Sequence, residues 1–217
     1  MNRETIKFIE ELKKRPDVLG IVLFGSWARG DNRPDSDVDL VVLLKKGFRR
    51  TVEFKKKQSF EITYTTPAAA LAFYKGHKDD CAGFWSCAKI LYDKTGAAMR
   101  LKKQSIQLLR SGKSKMEPIN KARLLWDASE QLASVKFKAN RDLTSAMLHL
   151  HERVINMTEI FFDLKRLWTP APKHRITKIK EISRNLYKLL KSFYTDDLSF
   201  DAKLKLARKM IPVVFEE

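Results

Sequence analysis

Apolar residues recur with two different periods along this chain, and the change of period divides it. In the first half, residues 21–24 and 38–44 are short runs of β-branched, aliphatic and aromatic residues, the pattern of strands buried in a sheet. In the stretch SFEITYTT, Phe60, Ile62 and Tyr64 alternate with Glu61, Thr63 and Thr65, so a strand there has one apolar face and one polar face. Residues 88–92 (AKILY) read as another strand, closed by a turn at residues 93–96. Residues 1–15 precede these as a charged amphipathic helix with Ile6, Ile9 and Leu12 on one stripe. A polar run at residues 110–117 (RSGKSKME) has the composition of a linker.

From Ile119 onward the spacing is helical. Leu125, Ala128, Leu132, Val135 and Ala139 form one stripe, and Leu143, Met147, Leu150, Val154, Met157, Phe161, Leu164 and Trp168 form a second. The phase slips at Asn140, Arg141 and Asp142, which predicts a turn or kink with Asp142 as N-cap. Pro170 and Pro172 end that run, Ile176, Ile179, Ile182, Leu186 and Leu189 make a further helix, and residues 200–213 make the last. The expectation is a domain of strands and helices over residues 1–110, of α/β (α+β) class, followed by an all-α bundle of four or five helices over residues 118–217.

The chemistry concentrates in residues 25–39, GSWARGDNRPDSDVD. Gly25 lets the chain turn sharply and keeps a side chain out of the way of a phosphate. Ser26 offers a hydroxyl where a short helix of Trp27, Ala28 and Arg29 can begin, and amides at a helix start attract anions. Side chains two apart on a strand point the same way, so Asp37 and Asp39 share a face with roughly 6 to 7 Å between their α-carbons. That spacing suits divalent ions, and two Mg²⁺ roughly 3.5 to 4 Å apart can activate an attacking oxygen and stabilise a leaving pyrophosphate. Glu61 is the preferred third acid, as ligand or general base, because its strand pattern is longer and cleaner than that around Glu53 in TVEF. Two other metal or phosphate motifs fail on their own terms. A calcium loop starting at Asp35 needs glycine at its sixth position and glutamate at its twelfth, which are Leu40 and Lys46. A P-loop needs Gly-Lys-Ser or Gly-Lys-Thr after the glycine turn, and none follows.

Strand, Gly25-Ser26, Gly30, Ser36-Asp37-x-Asp39 and strand together closely resemble the signature of the DNA polymerase β-like nucleotidyltransferase superfamily. The resemblance covers the first hundred or so residues. It implies a mixed sheet flanked by helices that binds an NTP with two divalent metals. Within the superfamily the compact motif with a helical C-terminal half resembles the minimal and antibiotic-modifying nucleotidyltransferases, such as those acting on kanamycin or lincosamides. On this likeness Gly25 and Ser26 match the triphosphate-binding turn, Asp37 and Asp39 match the metal ligands, and Glu61 matches the third acid. Ser36, Arg29 and Arg33 are further candidates for contact with the nucleotide. The implied reaction is Mg²⁺-dependent transfer of a nucleoside monophosphate, from ATP in the first instance, to a hydroxyl acceptor with release of pyrophosphate. A small acceptor such as an aminoglycoside or lincosamide is expected ahead of a protein or an RNA. Two other readings stay open at this stage. One is an antitoxin-like partner that nucleotidylates or masks another protein, and the other is a nucleotide-binding protein without catalysis.

Composition narrows the setting. At 217 residues and 25.2 kDa the chain suits a sheet core plus a helical lobe. Cys81 and Cys87 have no partner pair and no metal-ligand spacing, which fits thiols in a reducing compartment. Residues 1–15 lack the features of a signal peptide, and no apolar run approaches the roughly 20 residues of a membrane span, so a cytoplasmic protein is expected. The formal charge is +17. Residues 1–100 hold 19 Lys and Arg against 13 Asp and Glu, and residues 101–217 hold 24 against 13, so both halves favour anionic partners. His149 and His151 lie two apart on a helix, face different directions and make a poor metal pair.

Overall fold

The computed structural model describes residues 3–56 and 58–216, apart from the side chains of residues 79, 80 and 82. Met1 and Asn2, which the sequence pattern assigns to the first helix, lie outside these residues. The chain divides into two compact units, Met1–Ser111 and Gly112–Glu217.

The first unit runs α1 (Arg3–Lys13), β1 (Val18–Leu23), α2 (Gly25–Arg29), β2 (Val38–Leu44), β3 (Arg49–Lys55), β4 (Gln58–Thr65), α3 (Pro67–Gly76), α4 (Lys78–Cys87), β5 (Lys89–Asp93) and α5 (Ala97–Ser111). The strands form one mixed sheet in the order β3-β4-β2-β1-β5, with β2 and β4 parallel and the other neighbours antiparallel. On one side Phe8, Ile9 and Leu12 of α1 pack with Ile21, Leu23, Leu40, Val42, Phe60 and Ile62. On the other side Val22, Val41 and Leu43 pack with Ala70, Tyr74, Cys81, Trp85 and Leu101 from the three later helices. Strands β1 and β2 are therefore covered on both faces, which is why their sequences are almost continuously apolar. Strand β4 alternates because only its Phe60, Ile62, Tyr64 side faces α1, and β3 is the exposed edge.

Two expectations change. Ile6 is half exposed, and the buried stripe of α1 is Thr5, Phe8, Ile9 and Leu12, so the helix turns a slightly different face to the sheet. Helices α3, α4 and α5 have no counterpart in the apolar periodicity. Local signals do mark α3: Thr66 accepts a hydrogen bond from the Ala69 N–H at 3.1 Å and Pro67 fills the first helical turn.

The second unit consists of α6 (Pro118–Ala139), α7 (Leu143–Leu164), α8 (Pro172–Ile182), α9 (Arg184–Thr195) and α10 (Phe200–Glu216). Leu132, Val135, Leu150, Val154, Phe161, Phe162, Ile179, Leu186, Phe193, Leu204 and Met210 form its core. The expected helix through Ile176 and Leu189 is two helices, because Ser183 takes an extended conformation and caps α9 by accepting from the Leu186 N–H at 3.1 Å. Trp168 lies beyond the end of α7, and Leu125 and Leu143, placed on the expected stripes, are exposed.

Asp142 is the N-cap of α7: one carboxylate oxygen accepts from the Ser145 N–H at 3.1 Å and the other from its hydroxyl at 2.5 Å. These bonds from Ser145 hold the Asp142 carboxyl below the usual carboxylate range. A carboxyl with a lowered folded-state pKa stabilises the fold above its unfolded pKa, and that contribution is lost as pH falls through the folded value. Asp142→Ala is accordingly expected to lower the melting temperature by a few degrees at neutral pH. Thermal melts across the acidic range should show the gap to the parent closing as Asp142 protonates; a gap independent of pH would remove the charged cap as its cause.

Candidate functional site

The site is built where the end of β1 meets the start of β2. The Phe24 N–H donates to the Asp39 carbonyl at 2.9 Å, extending the β1–β2 ladder by one bond and setting Gly25 beside Asp39. Gly25 has φ +63, in the left-handed region where a Cβ is disfavoured. A Cβ built there would stand 1.7 Å from Oδ2 of Asp39. Glycine at this position is therefore required twice over, by the backbone angle and by contact with the acid.

Ser26 lies in the single turn of α2, which ends at Gly30 in the left-handed conformation. The Ala28 N–H donates to the Phe24 carbonyl at 3.2 Å, so the amides of residues 25–27 precede the first helical hydrogen bond. The loop that follows is tied to its neighbours through Ser36. The Ser36 carbonyl accepts from Trp27 Nε1 at 3.3 Å and from Gln58 Nε2 at 2.9 Å, and its hydroxyl accepts from the Arg33 N–H at 2.9 Å. Arg29 pairs with Asp31 at 3.1 Å and Arg33 with Asp35 at 3.1 Å.

Because β2 and β4 run parallel with Asp39 opposite Glu61, the two acids stand side by side on one face, and Asp37 joins them from the loop end. Carboxylate oxygens of Asp37, Asp39 and Glu61 lie within 4.8 Å of one another, with Asp37 exposed and the other two half-buried. Two oxygens on opposite sides of one Mg²⁺ are about 4.2 Å apart, so this all-oxygen set is within reach of one or two such ions. Its hard donors and solvent access fit Mg²⁺. Among the described residues no other group of three or more His, Cys, Asp or Glu side chains comes together in this way.

Glu53 takes no part in this cluster. It pairs across the hairpin with Phe60, which puts it on the face turned toward α1. There it accepts from the Tyr64 hydroxyl at 3.3 Å and stands 3.6 Å from Arg49 and 3.7 Å from Lys55.

Arg50 was not legible as a site residue. It projects from β3 on the same face as Glu61 and donates to it through both Nε, at 2.9 Å, and Nη2. The Glu61 carboxylate, with Asp39 behind it, holds the Arg50 guanidinium above its ordinary pKa. Arg50 thus offsets part of the like-charge repulsion among the three acids. The residues are eleven apart, and only the β3–β4 hairpin register brings them together.

His149 and His151 both lie in α7 of the second unit. His149 Nδ1 lies 2.7 Å from Lys138 Nζ, while His151 packs against Phe193 and Tyr194, where burial pushes its pKa down. Cys81 is buried, Cys87 is exposed, and neither is in a disulfide.

Residues 5–73 match the family model of the nucleotidyltransferase domain. No curated protein matches the chain. Among solved structures the chain is similar to a nucleotidyltransferase-like protein from Exiguobacterium sibiricum 255-15, with a TM-score of 0.55 and 12% sequence identity. That alignment covers 99% of this chain and 74% of the other, and at this identity it speaks to the fold.

Proposed function

We propose that the protein, whose residues 5–73 match the nucleotidyltransferase-domain model, transfers a nucleoside monophosphate from an NTP to an acceptor hydroxyl and releases pyrophosphate. The observation that carries this reading is the convergence of Asp37, Asp39 and Glu61 within 4.8 Å, against a glycine that leaves Asp39 its space. Mg²⁺ is the ion and ATP the first nucleotide to test. When bound, Mg²⁺ supplies activation of the attacking oxygen and charge neutralisation on the leaving phosphates.

The chain's own residues then divide the work. Asp37 and Asp39 hold the ions. The Gly25 turn admits the phosphates, and the Ser26 hydroxyl with the amides of residues 25–27 hydrogen-bonds them, while Arg29 and Ser36 stand at the flanks. Glu61 ligates an ion or takes the proton from the attacking hydroxyl. Residues 1–110 act as the catalytic domain and residues 118–217 as a separate helical domain, in a cytoplasmic setting. Among the described residues no helix is long and apolar enough to cross a membrane.

The test is incubation with each labelled NTP, Mg²⁺ and a panel of aminoglycosides, lincosamides, proteins and RNA, followed by mass detection of an added nucleotide and measurement of pyrophosphate. Mg²⁺-dependent thermal stabilisation by a non-hydrolysable NTP reports binding on its own. Stabilisation with no pyrophosphate from any acceptor would reduce the protein to a nucleotide binder.

The choice of third acid makes a separate prediction. Glu61→Gln is expected to lower kcat by roughly 10² to 10⁴, the usual worth of a general base. Glu53→Gln, on the other face, should leave kcat within about threefold, as for surface changes away from a site. The two steady-state rates of pyrophosphate release settle it: a large loss at Glu53 with none at Glu61 would reverse the assignment.

A further inference from the structure

We propose that Arg50 is a resident counter-ion of Glu61 that a divalent ion has to displace, so that one side chain both stabilises the metal-free protein and lowers its affinity for the metal. The metal belongs to the nucleotidyltransferase reading above, on which this inference rests. The role of Arg50 itself is argued from strand register and from its ion pair.

Antiparallel pairing sets Arg50 opposite Thr63 and Val52 opposite Glu61, and directly paired residues share a face. Arg50 therefore stands diagonally beside Glu61, on the side of the sheet that carries the acids. The other basic residues of β3 are engaged on the opposite side, Arg49 over the Tyr64 ring and Lys55 over the Phe8 ring, each 5.0 Å from the ring centroid. Of the cations on this strand, Arg50 is the one that meets the cluster.

Two features make its pair with Glu61 exchangeable. Both bonds, from Nε at 2.9 Å and from Nη2, end on the single oxygen Oε1, so the contact lacks the two-oxygen fork of the strongest arginine–carboxylate pairs. The Arg50 side chain is also 69% exposed on the outermost strand of the sheet, where ion pairs are weak and screened by salt. A buried pair would be far harder to open.

Arg50 has two opposing effects on an incoming ion. Its bonds restrict Glu61 to a rotamer that brings a carboxylate oxygen within 4.8 Å of those of Asp37 and Asp39, which favours binding. Its charge repels the ion, and the double charge of a divalent metal doubles that repulsion. The Glu61 side chain is only 32% exposed and its strand is paired on both sides, so little freedom remains for Arg50 to remove, and repulsion prevails. Without the ion the sign reverses. Three carboxylates this close repel one another, and Arg50 supplies a compensating charge that is bonded to Glu61 and felt by Asp39.

The test measures both states. Mn²⁺, which takes the same oxygen donors in the same octahedral geometry as Mg²⁺, is titrated into the full chain while electron paramagnetic resonance counts the free ion. Thermal melts are run alongside, in metal-free buffer and with Mn²⁺. Arg50→Gln is expected to tighten Mn²⁺ binding roughly three- to tenfold. The same change should lower the metal-free melting temperature by about one to two degrees and enlarge the rise that Mn²⁺ produces. Arg50→Lys keeps the charge and should stay near the parent in both readouts. In a Glu61→Gln background the Arg50 change should alter Mn²⁺ affinity much less, the non-additivity expected of two groups in contact.

Weaker Mn²⁺ binding by Arg50→Gln would make Arg50 a brace for Glu61 and overturn the proposal. Unchanged binding, or a parent that binds no Mn²⁺, overturns it as well, and an undiminished effect without Glu61 replaces displacement by charge acting at a distance. Pyrophosphate release over a range of free Mg²⁺ is the separate arm, and its midpoint should move to lower Mg²⁺ in Arg50→Gln. Release by a parent whose Mn²⁺ affinity ignores Arg50 keeps the transferase and removes the counter-ion. Tighter Mn²⁺ binding in Arg50→Gln, with no pyrophosphate from any NTP and acceptor, keeps the counter-ion and defeats the transferase reading.

Discussion

Asp37→Ala and Asp39→Ala are each expected to abolish nucleotide transfer without unfolding the protein. The two acids and Glu61 present oxygens within 4.8 Å of one another, so on the proposed reading each supplies part of one ligand set. Losing a carboxylate removes charge stabilisation of several kcal/mol from the transition state, a fall in kcat of roughly 10³-fold or more. Stability should move the other way. Asp37 is exposed, and deleting one of three like charges relieves their mutual repulsion, which Arg50 offsets only in part. The melting temperature in metal-free buffer should therefore hold or rise slightly while activity vanishes, the opposition expected at a functional site. Pyrophosphate release and thermal melts of the same preparations check both halves. A variant that keeps its rate refutes the ligand assignment, and one that loses rate because it has unfolded says these acids are structural.

Gly25→Ala is expected to be nearly as damaging, by a different route. With φ +63 the new side chain carries a cost of roughly 1 to 2 kcal/mol for the left-handed conformation. Its Cβ would also stand 1.7 Å from Oδ2 and 2.7 Å from Cγ of Asp39, so the carboxylate has to leave its place. Transfer should fall roughly a hundredfold or more, because a displacement of about 1 Å at a reacting centre has that effect. Gly30→Ala is the control: its φ is +88, but nothing lies within 4 Å of a Cβ there. It should lose a similar amount of stability and keep most of its activity. Combined with Asp39→Ala, the Gly25 change should add no further loss of rate, since both act on the same carboxylate. Equal activity losses in Gly25→Ala and Gly30→Ala would mean that backbone strain alone, and not the contact with Asp39, is responsible.

Much of the fold was legible because its signals are local. Strand β2 spans Val38–Leu44 and, Asp39 apart, is the apolar run itself, because it is covered on both faces of the sheet. The Asp142 cap was legible because a capping side chain bonds only a few residues away. The region over α3, α4 and α5 was not. Helix α3 buries only Ala70 and Tyr74, and the buried residues of α5 are small apart from Leu101 (Ala97, Ala98 and Ser105), so neither carries a long stripe of large apolar residues. The break at Ser183 was missed because the apolar spacing runs through it, while the interruption comes from one side chain capping the next helix.

By itself the sequence determined the change from sheet to bundle, the glycine-serine turn and the pair of acids two residues apart. Each depends on periodicity or on neighbours within a few residues. Tertiary structure decided which third acid joins them. Glu61 and Glu53 both sit on strands, but pairing with Asp39 on one side and Val52 on the other turns Glu61 toward the acids, whereas Glu53 opposite Phe60 faces α1. It also brought Arg50 to Glu61 and Gly25 to Asp39. Such contacts follow from the order and register of strands, which link residues far apart in the chain, and a period of two fixes which residues share a face but not which strand lies next to which.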